Sequence, residues 1–261
     1  MWFIRLLFCV VVTFSLPVTS ESSAATKTLL VAVGADKPPF VISTDNEISG
    51  LEVDIFRAAM AESEYQIEFV ALPFHQLNRA LLNFEDLDAA AGIGTEFFAE
   101  LYYVDEFSHY QNVAISKKAS GIALQSVRDL FHHRVIAWQG ASQAKTPLGE
   151  VFYQLYGAER ASQSRYQELN QYNQNAMFWL GRTDVIVLDK SIFGWYRSYL
   201  SNEMDTSAEI TIHPLFPNFQ YTRVAFRDPE LAQVFAEGLS RLKASGRYQQ
   251  FYDQYFNHSP P

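Results

Sequence analysis

Cysteine is nearly absent. The only one among 261 residues is Cys9, which lies in an N-terminal apolar stretch. The chain beyond that stretch therefore has no disulfide, no thiolate nucleophile and no cysteine-ligated metal. An oxidising compartment permits disulfides without demanding them, so export is still compatible with this composition. Basic clusters are missing too. The formal net charge is −9 and no dense run of Lys and Arg interrupts the acidic balance, which opposes binding to nucleic acid or anionic lipid. No second long apolar run follows the N-terminal one, so no direct membrane insertion is expected once that segment is removed.

Catalytic signatures are likewise lacking. Histidines stand at 75, 109, 132, 133, 213 and 258, and none forms H-E-x-x-H or another zinc spacing. Adjacent His132 and His133 would face opposite ways on a strand. There is no G-x-S-x-G, no Walker lysine motif and no Rossmann glycine set. Glu52 and Asp54 are two apart, a helical spacing at which side chains do not meet. A protein that performs no chemistry and needs no cofactor is expected.

At the N-terminus Arg5 precedes an apolar core from Leu6 to Val12, and Ser22-Ser23-Ala24-Ala25 offers small residues for cleavage after Ala24. Residues 1–24 thus read as a secretory signal peptide. Its apolar core is shorter than the roughly 20 residues a membrane span needs, which argues against an uncleaved anchor. Cys9 sits inside that core rather than at a cleavage site, so lipid attachment there is not expected.

The remaining chain alternates strands and helices. Residues 29–34 read as a buried strand, followed by a loop stiffened by Pro38 and Pro39. Apolar residues at 51, 55, 58 and 59 give helical spacing. Strand 67–72, helix 76–84 and strand 88–93 continue the rhythm. Residues 107–118 read as a long crossover into a second lobe. That lobe carries a helical turn at 126–130, strand 134–138, helices 144–155 and 166–180, strand 185–188 and helix 191–200. Pro147 suits the first turn of its helix. Segments 209–213 and 220–226 lead back to the first lobe, which ends in a helix from Pro229 to Lys243 and an amphipathic segment through Phe256. Alternation of this kind marks an α/β fold with a largely parallel sheet.

Seven short segments in order resemble the family 3 periplasmic solute-binding proteins: Pro38-Pro39-Phe40; Gly50-Leu51-Glu52-Val53-Asp54-Ile55; Asp88-Ala89-Ala90-Ala91-Gly92; Phe107-Ser108 with Tyr110; Ala137 through Ser142; Gly181 through Asp189; and Leu239 through Phe256. The resemblance implies a type II periplasmic binding fold, with two αβ lobes joined by a two-stranded hinge. Lobe 1 would comprise residues 25–115 and 213–261, and lobe 2 residues 116–212. It further implies a periplasmic receptor that closes on a small polar solute and serves a membrane permease of an ABC transporter. A sensing subunit for a membrane signalling protein, or a dehydratase-like enzyme using Glu100, His109 and Asp189 in the same cleft, are the alternatives.

The ligand positions depart from the family's pattern. Amino-acid binders of the family carry a carboxylate-clamping arginine in a T-x-x-R-like stretch. Here that stretch begins at Thr95 and the arginine's place falls on Glu100 or Leu101. Lys37 stands where relatives place an aromatic ring. It could meet a ligand carboxylate, or simply pair with Asp36 at the surface, which is worth about 0–1 kcal/mol. Asp189 matches the family acid that receives a ligand amino group, and it could equally cap the following helix near Ile192. Phe40, Tyr110 and Trp138 could line the cleft, with core packing as the alternative for each. The amides around Gly140, Ala141 and Ser142 could receive a carboxylate or phosphate. A surviving acid without the arginine points to a cationic or amine-bearing solute.

Overall fold

A computed structural model describes residues 27–256 apart from 36, 45, 95, 143–148, 150–151 and 154–165. The signal-peptide reading of residues 1–24 therefore lies outside the described residues, as do Asp36, Thr95 and most of the helix expected at 144–155.

The first lobe is built on β1 (Lys27–Gly34), β4 (Tyr65–Leu72), β5 (Ala89–Ile93), β6 (Tyr102–Val104) and β14 (Arg223–Phe226). Their order in the sheet is β4-β1-β5-β14-β6. The first three run parallel, and β14 lies antiparallel between β5 and β6. The minor ribbon of β2 (Ile42–Ser43) and β3 (Ile48–Ser49) precedes α1 (Leu51–Ala59). Two four-residue helices, α2 (Phe74–Leu77) and α3 (Ala80–Asn83), replace the single helix expected at 76–84. The break falls at Asn78 and Arg79, and the Asn78 side chain is turned to accept the Gly94 amide at 2.9 Å.

The second sheet has the order β10-β9-β11-β8-β12, from β8 (Asn112–Lys117), β9 (Val135–Trp138), β10 (Tyr166–Leu169), β11 (Val185–Asp189) and β12 (Ile210–His213). Between the sheets, β7 (His109–Tyr110) pairs antiparallel with β13 (Gln220–Tyr221). This two-stranded ladder carries both crossings. The boundary expected at 115 falls inside β8, all of which pairs within the second sheet.

Residues 166–169 depart from the helix expected there. They pair in parallel with β9, Tyr166 opposite Val135 through Leu169 opposite Trp138. Asn170 then caps α4 (Gln171–Trp179), its side chain accepting the Asn173 amide. An N-cap oxygen satisfies a donor that the helix start leaves unpaired, so the helix begins there. Next comes α5 (Lys190–Leu200).

The chain ends on α6 (Pro229–Ala244) and α7 (Arg247–Phe256). Helix α6 starts with Asp228 as its cap and Pro229 in its first turn. It crosses α1 at Gly238, where an added Cβ would come within van der Waals overlap of the Ala59 carbonyl. Only a residue without a side chain permits that approach. Phe56, Phe107, Phe226 and Phe235 are buried together between these helices and the first sheet. Each contributes on the order of 2–3 kcal/mol of apolar burial, which holds the C-terminal helices onto the lobe formed by the N-terminal half.

Candidate functional site

In both sheets the parallel strands end on the same side as the hinge ladder, and a cavity of about 190 Å³ lies there between the lobes. Sites outside the carboxyl ends of strands are the general location for ligands in α/β folds. From the first lobe it is lined by Lys37 after β1, Gly92 in β5 and Tyr110 in the hinge. From the second it is lined by Trp138 at the end of β9, Gln171 at the start of α4 and Asp189 at the end of β11.

The first-lobe wall contains a buried charge network. Lys37 Nζ lies 2.7 Å from Glu52 Oε2, and the two side chains are 5% and 0% exposed. Lys37 also donates to the Tyr110 hydroxyl at 2.8 Å, which in turn donates to Glu52 Oε1 at 2.8 Å. Ser108 donates to the same oxygen at 2.7 Å and touches the Thr222 hydroxyl at 2.6 Å. Glu52 sits in the first turn of α1, where the helix dipole favours an acid. Desolvation and the Glu52 charge push the Tyr110 phenol well above its ordinary pKa, so it stays protonated. Gly92 has φ +76°, and a Cβ there would stand 2.5 Å from Glu52 Oε2 and 2.7 Å from Lys37 Nζ.

The second-lobe wall is different. Asp189 is 3% exposed. Its Oδ1 accepts the Ser191 and Ile192 amides at 2.7 and 3.1 Å, capping α5, and its Oδ2 accepts the Gln111 amide at 2.6 Å. Burial pushes its pKa up to about 6, against the opposing pull of those amides. Among the described residues no basic side chain forms an ion pair with it. Gln171 Oε1 is buried without a hydrogen-bond partner among the described groups.

These positions bring four of the expected site residues to the cavity: Lys37, Tyr110, Trp138 and Asp189. Three others are placed elsewhere. Phe40 is 1% exposed and is not part of the lining. Its ring packs on Tyr110 and Phe256, while the carbonyls of Pro39 and Phe40 accept the Leu51 and Glu52 amides. The proline loop is thus the cap of α1, and capping turns Phe40 inward. Glu100 is exposed and outside the lining, on the loop before β6, and Leu101 beside it is buried. Ser142 is half-buried and also outside the lining. Its amide and that of Gly140 are already taken, donating to Glu168 at 2.7 and 2.8 Å. Thr95 lies outside the described residues. Lys37 faces Glu52 rather than the surface.

Sequence reasoning missed Glu52 and Gln171. An acid on the buried face of an amphipathic helix was the available signal for Glu52. Gln171 was hidden because the strand before it reads as helix. Among the described residues, no cluster of three or more His, Cys, Asp or Glu is placed to hold a metal, and no helix is long and apolar enough to cross a membrane.

Comparison with known proteins agrees with this architecture. The chain is 25% identical over 258 residues to the arginine-binding extracellular protein ArtP of Bacillus subtilis, covering 96% of both chains. It is 26% identical over 243 residues to an L-arginine-binding protein of Pseudomonas aeruginosa, covering 90% of each. Among solved structures, a mutant of ArgBP from T. maritima superposes with a TM-score of 0.66 at 21% identity, over 88% of this chain and 96% of that one, a likeness of fold. Residues 29–258 match the bacterial extracellular solute-binding proteins, family 3, and the chain belongs to that family, with its type II periplasmic binding fold.

Proposed function

We propose that this chain is an exported receptor that closes on a small, polar, amine-bearing solute and hands it unchanged to the membrane permease of an ABC transporter. The observation that carries the reading is Asp189: a buried carboxylate lining an interlobe cavity, held by three amides and paired with no basic side chain among the described residues. A guest ammonium or guanidinium supplies the missing positive charge, in a setting where charge-assisted hydrogen bonds are strong. Trp138 and Tyr110 add aromatic faces that attract cations. The two curated relatives named for arginine binding support a cationic guest. Export through a signal peptide at residues 1–24, delivery to the periplasm, and lobes divided at the β7–β13 ladder belong to the same reading. Closure is a hinge motion about that ladder.

The test is Asp189→Asn. Asparagine's one carbonyl oxygen can keep the Ser191 and Ile192 amides of the cap, but the Gln111 amide loses its acceptor, so a stability loss of about 1–3 kcal/mol is expected, with circular dichroism checking that the variant is folded. Affinity for cationic amines, measured by calorimetry, should fall roughly 10- to 100-fold, the worth of a hydrogen bond to a charged group. Unchanged affinity rejects the reading. Conversion of the bound solute by the parent protein, abolished in the variant, would replace it with the enzymatic alternative.

A further inference from the structure

We infer that Gln171 is a specificity-determining residue that takes a carboxylate of the solute, so that the second-lobe wall holds both charged ends of a zwitterionic head group. Asp189 takes the ammonium, and the start of α4 takes the acid. This rests on the amine-receptor reading above and extends it. Among the described residues, the Gln171 backbone amide and the side-chain NH2 groups of Gln139 and Gln171 have no acceptor, and both residues line the cavity. Other amides nearby are committed. Those of Gly140 and Ser142 donate to Glu168, and that of Asn173 donates to Asn170. Gln171 opens a nine-residue helix, whose dipole favours an anion at that end. Its carboxamide carries a donor and an acceptor side by side. The acceptor, Oε1, is buried without a partner among the described groups. An orphaned buried acceptor is costly, and the ammonium held by Asp189 is a donor of the right charge to relieve it. The NH2 group is left for a guest oxygen.

The spacing of the second sheet suits such a guest. Strand β9 lies between β10 and β11, so the ends of the outer two are roughly 10 Å apart. Leu169 is level with Trp138, and Val187 with Ala137. Gln171 and Asp189 each follow two residues later, at the same end of the sheet. The ammonium and carboxylate of an α-amino acid are about 3 Å apart, and a hydrogen bond of about 2.9 Å at each end brings the span to roughly 9 Å. The head group then bridges β10 and β11 across the end of β9, beside Gln139. On the opposite wall, Lys37 already lies 2.7 Å from Glu52.

The experiment is isothermal titration of the purified chain at pH 7.5 with three matched pairs: arginine and agmatine, lysine and cadaverine, histidine and histamine. At least one amino acid should bind about tenfold or more tighter than its decarboxylated counterpart, the worth of a hydrogen bond to a charged group. Gln171→Glu keeps a residue that suits a helix start but sets a negative charge against the guest acid. It should narrow the affinity ratio within the best pair by tenfold or more. Gln171→Met removes the carboxamide and keeps the backbone amide, and should narrow the ratio by about threefold. A ratio unmoved in either variant, with the parent's circular dichroism spectrum retained, overturns the inference and leaves the amine-receptor reading standing. So does a parent protein that binds every amine as tightly as its amino acid. Absence of binding by all six probes overturns both.

Discussion

On the first-lobe side of the cleft, an acid and a base lie 2.7 Å apart and share a tyrosine hydroxyl. On the second-lobe side, a single acid is held by three backbone amides. Both acids are buried, yet they stand in different relation to a guest. Glu52 has a resident counter-charge, so its wall is complete without a solute. Asp189 has dipoles but, among the described residues, no counter-charge, so burial costs it something that a cationic guest could return. Charge in a cleft is therefore a poor guide to binding until its internal partner is known. Lys37, a basic residue at the mouth of a cavity, serves the fold's own acid.

The largest expected effect separates the two walls by stability. Glu52→Ala removes the carboxylate that lies 2.7 Å from the buried Lys37 ammonium and should cost about 3–5 kcal/mol in urea unfolding. Replacing both partners by apolar residues, Lys37→Met with Glu52→Leu, should recover most of that loss, since a buried pair is often worth no more than well-packed hydrocarbon. Failure of the double variant to recover would show that the pair contributes more than mutual neutralisation.

The next effect concerns pH and belongs to the second wall. Burial raises the Asp189 pKa to about 6 from an ordinary 3.8. The folded chain then holds a proton that the unfolded chain has released between those values. Stability from this group is greatest below pH 4, declines as pH rises through 6, and changes by at most about 3 kcal/mol across that window. Without added solute, the parent's unfolding free energy should thus exceed that of Asp189→Asn by more at pH 4.5 than at pH 7.5. Binding of an amine should follow the opposite course, weakening by about tenfold per pH unit below 6 as the carboxylate is protonated. Parallel trends in stability and affinity would separate Asp189 from the binding event.

A smaller effect sharpens the first wall. At Gly92, φ is +76° and a side chain would press on both members of the ion pair. Gly92→Ala should cost about 1–3 kcal/mol through backbone strain and overpacking. Combining it with Lys37→Met, which removes one of the two clashing head groups, should give less than the sum of the separate losses.

The alternation of strands and helices was readable because its determinants are local. Val31 and Val33, and Val185 through Leu188, form compact apolar runs; the first pair is buried within β1 and the second run is buried throughout β11. Asp189 and Trp138 were legible for the same reason, as polar or aromatic residues directly following or ending such runs. What escaped notice is decided by partners far along the chain. Tyr166–Leu169 is a strand because β9 offers it a parallel edge, which its own polar composition does not announce. The expected boundary at 115 failed because β8 is claimed by β11 and β12 rather than by the hinge. Glu52 is polar by composition and buried by virtue of Lys37, Ser108 and Tyr110, residues from two other segments. Phe40 was misplaced because the capping of α1 by the proline loop is a backbone event.

The smallest expected effect is at Glu100, one of the two positions, with Leu101, where the family resemblance puts a carboxylate-clamping arginine. Substitution there is informative because sequence alignment and geometry disagree. The family resemblance would make Glu100 a cleft acid that helps Asp189 draw a cation. Geometry leaves it exposed and outside the cavity lining, where water and salt screen its charge over about 8–10 Å. Glu100→Gln should therefore change amine affinity by less than about twofold and stability by no more than about 0.5 kcal/mol. A tenfold loss of affinity would mean that the loop before β6 closes over the guest, and that the negative charge drawing a cation is shared between one carboxylate from each lobe rather than concentrated on Asp189.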